Sequence, residues 1–500
     1  MQLNLLAISC IDIHGRSERV RRQKVVPYFP HLSLNWRQIL KEKEAMKRFC
    51  YMSGLEGKSQ EEIRKLQEER LPVQLKYCYD NSEFYRMKFD ACGARPEEIR
   101  TLEDLRKLPV FMVKDDERRS AEQSLQKHGH PFGLHLCAPP ENLYLTGTTS
   151  GTTGTPTFSY TFTENDMNFL APRIAHRLSL AGVGRGDRIA FFFALGIYAT
   201  TMTLWGLRLL GALPIDIDAR AGTDLFTRFI GLTRPTYMAC TPSLAEYLVR
   251  KTPELLGHEV KDFKYKGVLT TGEVGIAIPE IKKRLESAYG CRFYDYWAPC
   301  GNAPAISCDA EGYYGMHAVA PDVCTSFDDL VDPVTKQPVD SDVDGAVGEM
   351  VQTNLRREAC PVVKYAYGDI VQLFLKECPG CGFKGRRIKV IGRADDMLII
   401  KGVNVYPGPI KDVINQFIPD VTGEMRIVLE NPPPRVVPPL RLKIEYGKAM
   451  GSADLPDLAE RIATELHNRI KVRPAIEFVE PGSLPKETRK TPIFEKKYDS

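Results

Sequence analysis

Between residues 189 and 296 the chain alternates short apolar runs with amphipathic segments, and the apolar runs end in polar turns that carry glycine or proline. Ile189-Ala190-Phe191-Phe192-Phe193-Ala194 is apolar throughout and reads as a strand buried on both faces. A helix is expected over 199–210, closed by Gly211. Ile215-Asp216-Ile217, residues 236–239, Val268-Leu269-Thr270 and residues 293–296 read as further strands. Helices are expected after Thr241-Pro242-Ser243 and over 281–289. Strands alternating with helices argue for parallel α/β layers, because a parallel neighbour needs a crossover rather than a hairpin. Ligands of such sheets sit beyond the carboxyl ends of the strands, where Thr241, Thr271-Gly272-Glu273 and the residues after Tyr296 fall.

Upstream lies an uncharged stretch dense in hydroxyls, Thr146-Gly147-Thr148-Thr149-Ser150-Gly151-Thr152-Thr153-Gly154-Thr155-Pro156-Thr157. Glycines let several backbone N–H groups converge on one concavity, and the hydroxyls add neutral donors, which suits a polyphosphate. No Gly-Lys-Ser/Thr closes the run, so it is not the Walker loop. The plain alternative is a flexible linker.

Five hundred residues exceed one ordinary core, so two or three domains are expected. A net charge of +4 argues against a nucleic-acid or membrane-surface partner. The basic cluster from Arg16 to Lys24 reads as a solvated face, and residues 1–60 form an extension of unassigned role. Thirteen cysteines without a regular framework read as reduced thiols. No apolar stretch of about 18 residues is present, so a soluble, cytoplasmic enzyme is expected.

Residues 345–351 alternate like antiparallel strands, and Tyr365-Ala366-Tyr367-Gly368-Asp369 closes the large domain, taken as 61–394. A small domain follows over 395–500, with a hairpin of 427–429 and 440–444 joined by a stiff connection through Pro432, Pro433 and Pro434. The expected fold is α/β: a multi-layer N-terminal domain with mixed sheets, then a small mobile α+β domain.

Ser150-Gly151-Thr152-Thr153-Gly154-Thr155-Pro156 resembles the phosphate loop of acyl-adenylate-forming enzymes, and residues 66 onward resemble the phenylacetate-CoA ligase family in particular. Thr155 stands where the family loop usually has lysine. The resemblance implies an ATP/AMP site of Thr149, Ser150, Gly151, Thr152, Thr153, Gly154, Gly272, Glu273, Tyr296, Asp369 and Arg393. In it Asp369 accepts from the ribose hydroxyls, although on its own this aspartate is also a plain turn former. Asp395 matches the family's hinge. Lys490 matches the adenylation lysine, with Lys486 as second choice; such a cation offsets charge built in the transition state. Lys114 matches a family lysine near the active site, although alone it reads as a surface charge.

One position departs from the pattern. Cys300 stands where the family has a Mg²⁺ glutamate, and Trp297 replaces a glycine. A thiol is a poor ligand for a hard cation. Glu273 is a candidate to compensate, and Tyr198, Trp297, Ala298 and Cys300 are candidates for the acid pocket. Cys378-Pro379-Gly380-Cys381 reads as a metal knuckle, with a redox pair as alternative. The resemblance supplies Cys308 and His317, completing a structural Zn²⁺ site.

The implied reaction is ATP-dependent activation of an aromatic or cyclic carboxylic acid, followed by transfer to coenzyme A. Alternatives are transfer to an amine, hydroxyl or carrier protein, or a chain that kept the fold without adenylating. Mg²⁺ accompanies ATP, and a homodimer is left open.

Overall fold

The computed structural model describes residues 58–148, 157–158, 160–196, 200–297, 305–484 and 493–498. A short antiparallel pair, β1 (Leu143–Leu145) and β2 (Phe162–Thr163), brackets the hydroxyl-rich stretch. The strands β3 (Arg188–Phe193), β4 (Leu213–Asp218), β5 (Tyr237–Cys240), β6 (Gly267–Thr270) and β7 (Arg292–Trp297) then run parallel in the spatial order 4-3-5-6-7. These are the strands expected from the apolar runs. The order reverses about β3, creating a crevice at the carboxyl ends of β3 and β5.

On its far edge β7 pairs antiparallel with β8 (Ala305–Ser307), and β8 pairs antiparallel with β9 (Met316–Ala318). The strands β10 (Leu330–Val331), β11 (Pro338–Val339), β12 (Val347–Gln352), β13 (Tyr365–Phe374) and β14 (Arg387–Arg393) extend the sheet, all antiparallel. The result is one twelve-stranded mixed sheet, ordered 11-10-12-13-14-9-8-7-6-5-3-4.

The parallel half is stabilised by burial. Phe226 and Ile230 of the helix Thr223–Thr233, Leu244 and Leu248 of Pro242–Leu256, and Ile281 and Leu285 of Pro279–Tyr289 share one core with Phe192, Met238, Val268 and Phe293. Each such side chain contributes about 1.5–3 kcal/mol through water exclusion. The first described helix, Gln60–Asn81, opens with a capping box: Ser59 and Glu62 exchange side-chain-to-backbone bonds. Buried Gln67 and Gln74 tie that helix to the carbonyls of Pro321 and Arg357.

The small domain holds β15 (Leu398–Ile400), β16 (Val403–Val405), β17 (Val421–Leu429), β18 (Arg441–Tyr446), β19 (Ala475–Val479) and β20 (Phe494–Lys496). The expected hairpin is β17 with β18. Helices Pro407–Asn415 and Leu455–Ile470 give Ile410, Ile414, Leu458 and Ile462 to its core. Among the described residues no helix is long and apolar enough to cross a membrane.

Helices Glu164–Leu180 and Thr200–Leu209 approach most closely at Gly206, where an added Cβ would lie 2.8 Å from Ile174 Cγ2 and 3.1 Å from the Ala175 nitrogen. Gly206→Val is therefore expected to cost about 1–3 kcal/mol of stability by overpacking. A lowered midpoint in denaturant unfolding checks it.

Candidate active site

The hydroxyl-rich stretch is described only at its two stems, and both are anchored. The Thr148 N–H donates to the Gly196 carbonyl at 3.2 Å, just beyond β3. The Thr148 hydroxyl donates to the Thr157 carbonyl at 3.0 Å, and the hydroxyls of Thr146 and Thr161 bond at 2.8 Å. The stretch therefore leaves and returns at the carboxyl end of β3, beside the reversal of strand order. Thr149, Ser150, Gly151, Thr152, Thr153, Gly154, Tyr198, Ala298, Cys300, Lys486 and Lys490 lie outside the described residues.

Lys114 is not the plain surface charge that its local sequence suggests. Its Nζ donates to Thr157 Oγ1 and to Glu117 Oε2, each at 2.6 Å. Glu117 is buried, and the same oxygen accepts from the Tyr365 hydroxyl at 2.6 Å. One carboxylate thus joins the returning stem of the hydroxyl-rich stretch to the strand that carries Asp369.

At the end of β6, Gly272 takes a φ of +90°, a turn that favours glycine. The Glu273 side chain that follows is engaged: its carboxylate accepts from the Ser243 hydroxyl at 2.8 Å and from the Ser243 N–H at 3.3 Å. This fastens the turn to the first residues of the helix after β5.

Asp369 and Arg393 face each other directly across β13 and β14. Arg393 Nη1 donates to Asp369 Oδ1 at 2.8 Å, and Nη2 donates to the Tyr367 carbonyl at 2.9 Å and to Asp395 at 3.3 Å. Burial opposes the Arg393 charge, but Asp369 and Asp395 more than offset it and hold its pKa above the usual value. Gly368 makes room for this: its φ is +100°, and an added Cβ would meet Arg393 Nη2 at 2.9 Å. Trp297, expected in the acid pocket, directs its indole N–H at Asp369 Oδ2 at 3.1 Å. Its ring lies 6.4 Å from both Phe327 and Tyr367.

Two residues of this region, Arg177 and Asp295, had no sequence signal. Arg177 is wholly buried, its guanidinium 4.7 Å over the Tyr296 ring and bonded at 3.4 Å to the Trp297 carbonyl. Burial pulls its pKa down to about 10. Burial also pushes the Tyr296 hydroxyl well above its ordinary value, with Arg177 working the other way. Asp295, one residue earlier, is pushed up to about 7 by burial, although Tyr313 Oη donates to it at 2.9 Å.

The sheet also gathers Cys308, His317, Cys378 and Cys381, whose ligand atoms all lie within 4.8 Å of one another. His317 sits on β9 beside β14, and the two knuckle cysteines lie in the β13–β14 connection. The His317 ring bonds the Ile306 carbonyl through Nδ1 at 3.2 Å, which leaves Nε2 facing Cys381 Sγ at 3.3 Å. The Cys381 thiol holds that of Cys308 down at about 6. Backbone bonds from Cys378 to Phe383 and from Gly382 to Cys378 fold the knuckle.

A half-parallel, half-antiparallel sheet, with an Asp–Arg pair beside the carboxyl end of its strand β7, is the framework of an AMP-binding enzyme. The chain belongs to that family: residues 53–353 match AMP-binding enzyme, and residues 402–496 match the AMP-binding enzyme C-terminal domain. It is 30% identical to a phenylacetate-coenzyme A ligase of Thermus thermophilus, over 87% of this chain and 96% of that one. It is 31% identical to the ligase of that name from Pseudomonas putida, over 73% and 78%. Among solved structures it resembles a 2-hydroxyisobutyryl-CoA ligase in the postadenylation state with 2-HIB-AMP. The TM-score is 0.76 and the identity 26%, over 88% of this chain and 91% of that one. The same ligase with 2-HIB-AMP and CoA gives a TM-score of 0.60, at 26% identity over 88% and 91%.

The Asp295 carboxyl is expected to leave a mark on stability. Its unfolded pKa is near 3.8 and its folded one about 7. Between those values the folded chain keeps a proton that the unfolded chain releases, so stability falls as pH rises through the window. Asp295→Asn should remove that part of the slope, as read from unfolding midpoints compared between pH about 4 and 7.

Proposed function

We propose that this chain activates a carboxylic acid with ATP and transfers the acyl group to coenzyme A. In the first step a carboxylate oxygen attacks the α-phosphorus, the bond to the β-phosphate oxygen breaks, and pyrophosphate leaves. In the second the coenzyme A sulfur, its proton lost, attacks the acyl carbon and AMP leaves. The observation that carries the reading is the Asp369–Arg393 pair, held on facing strands in a chain of this family.

The chain's own residues divide the work. The hydroxyl-rich stretch receives the phosphates, with Lys114 holding its returning stem through Thr157. Asp369 accepts from the ribose hydroxyls, and Arg393 braces it while facing the nucleotide. Gly272 and Glu273 shape the turn beside the adenine. Lys490 meets the charge that develops between carboxylate and α-phosphate, where a fixed cation acts most strongly. The small domain, from 395 on, turns about Asp395 so that 61–394 serves both steps. Mg²⁺ would be carried by the triphosphate and water and would offset phosphate charge there, because Cys300 supplies only a thiol and the Glu273 carboxylate is engaged by Ser243. The acid is aromatic or cyclic.

The Cys308, His317, Cys378 and Cys381 cluster fits Zn²⁺ in donor type, number and spacing, with no position left open. Its role is to clasp the β8–β9 turn to the β13–β14 connection. The third cysteine and the histidine at the knuckle favour this over a redox pair.

Acid-dependent exchange of pyrophosphate into ATP, run over a panel of aryl and cyclic acids, tests the reading. Exchange with one acid is expected, falling at least 100-fold in Lys490→Ala if that lysine stabilises the transition state. No exchange by folded protein would refute the activity. Separately, plasma emission should find one zinc per chain, lost in Cys381→Ala with a lower thermal midpoint. Zinc-free protein of unchanged midpoint would refute the clasp.

A further inference from the structure

Asp369 is bonded on both oxygens by the protein itself: Oδ1 by Arg393 at 2.8 Å and Oδ2 by Trp297 at 3.1 Å. A carboxylate oxygen has two lone-pair directions, so each oxygen keeps one for a further donor. Two vicinal hydroxyls must meet two acceptors at once. The rotation of the carboxylate about its Cβ–Cγ bond therefore decides whether both bonds form. One donor on one oxygen leaves that rotation partly open; a second donor on the other oxygen closes it.

Trp297 is built to be such a donor. Its backbone is paired with Ala305 in the sheet, and its carbonyl accepts from the wholly buried Arg177. Phe327 and Tyr367 flank its ring. Tyr367 lies two residues before Asp369, and its carbonyl is the one that Arg393 holds. Both donors to Asp369 are thus fixed from within one cluster.

We propose that Trp297 is a positioning residue for nucleotide selection. Its indole N–H sets the plane of the Asp369 carboxylate and so the preference for a ribonucleotide with both hydroxyls. The proposal rests on the reading that Asp369 receives the ribose of ATP.

The test is acid-dependent pyrophosphate exchange with ATP, 2′-deoxy-ATP and 3′-deoxy-ATP, in wild type, Trp297→Phe and Trp297→His. The Phe variant keeps a ring but loses the N–H. Its apparent KM for ATP should rise about tenfold, the scale of one hydrogen bond to a charged group, with kcat nearly unchanged. The deoxy analogues should be little affected, so the preference for ATP shrinks by the same factor. The His variant, which keeps a ring N–H, should recover part of it. In an Asp369→Ala background, Trp297→Phe should add nothing.

In the variants, the proposal is overturned by an unchanged preference in Trp297→Phe, by a rise in KM for the acid alone, or by an equal loss in the Asp369→Ala background. Should the Phe variant not fold, Trp297→Leu takes its place under the same criteria. A wild type that exchanges but does not distinguish ATP from its deoxy analogues removes Asp369 from the ribose and this proposal with it. A wild type that distinguishes them, beside a variant that does so equally well, removes only the role of Trp297.

Discussion

The strand β7 pairs in parallel along one edge and antiparallel along the other, and the rest of the large domain depends on that double pairing. Its parallel edge joins strands connected by helices, whose turns cluster at one end. Its antiparallel edge joins β8, and through β9 the sheet continues to β14 and β13. Tyr296 and Trp297 are the last residues of β7, so they stand where the two constructions meet. This is how Asp369, from the antiparallel half, comes to meet Trp297 at the carboxyl end of a strand that also pairs in parallel.

The parallel half was legible because its strands are buried on both faces. Continuous apolar runs such as 189–194 have few other stable fates, and the polar turns after them mark where the strands end. The β17–β18 hairpin and the Cys378–Cys381 knuckle were legible for a similar reason: a short pattern carries its own geometry, whereas Cys308 and His317 came only from the likeness to a family. The pairing of Asp369 with Arg393 needed the register of two strands, and only the likeness to a family linked them in advance.

What could not be read was contact across long separations. Trp297 and Asp369 are 72 residues apart, and Tyr365 and Glu117 are 248 apart. Nothing local distinguishes an indole that will donate to a carboxylate from one that will fill a core. Lys114 misled for the same reason, since its i,i+3 partner Glu117 looks like an ordinary helix-surface pair. Arg177 lies in an amphipathic helix where an arginine is expected to face water, and only the fold turns it inward against Tyr296.

The Glu117 carboxylate takes one bond from Lys114, which grips the stem of the hydroxyl-rich stretch, and one from Tyr365, four residues before Asp369. A single buried oxygen therefore joins the stem of that stretch to the strand that carries Asp369, so replacing Glu117 would take away both bonds at once.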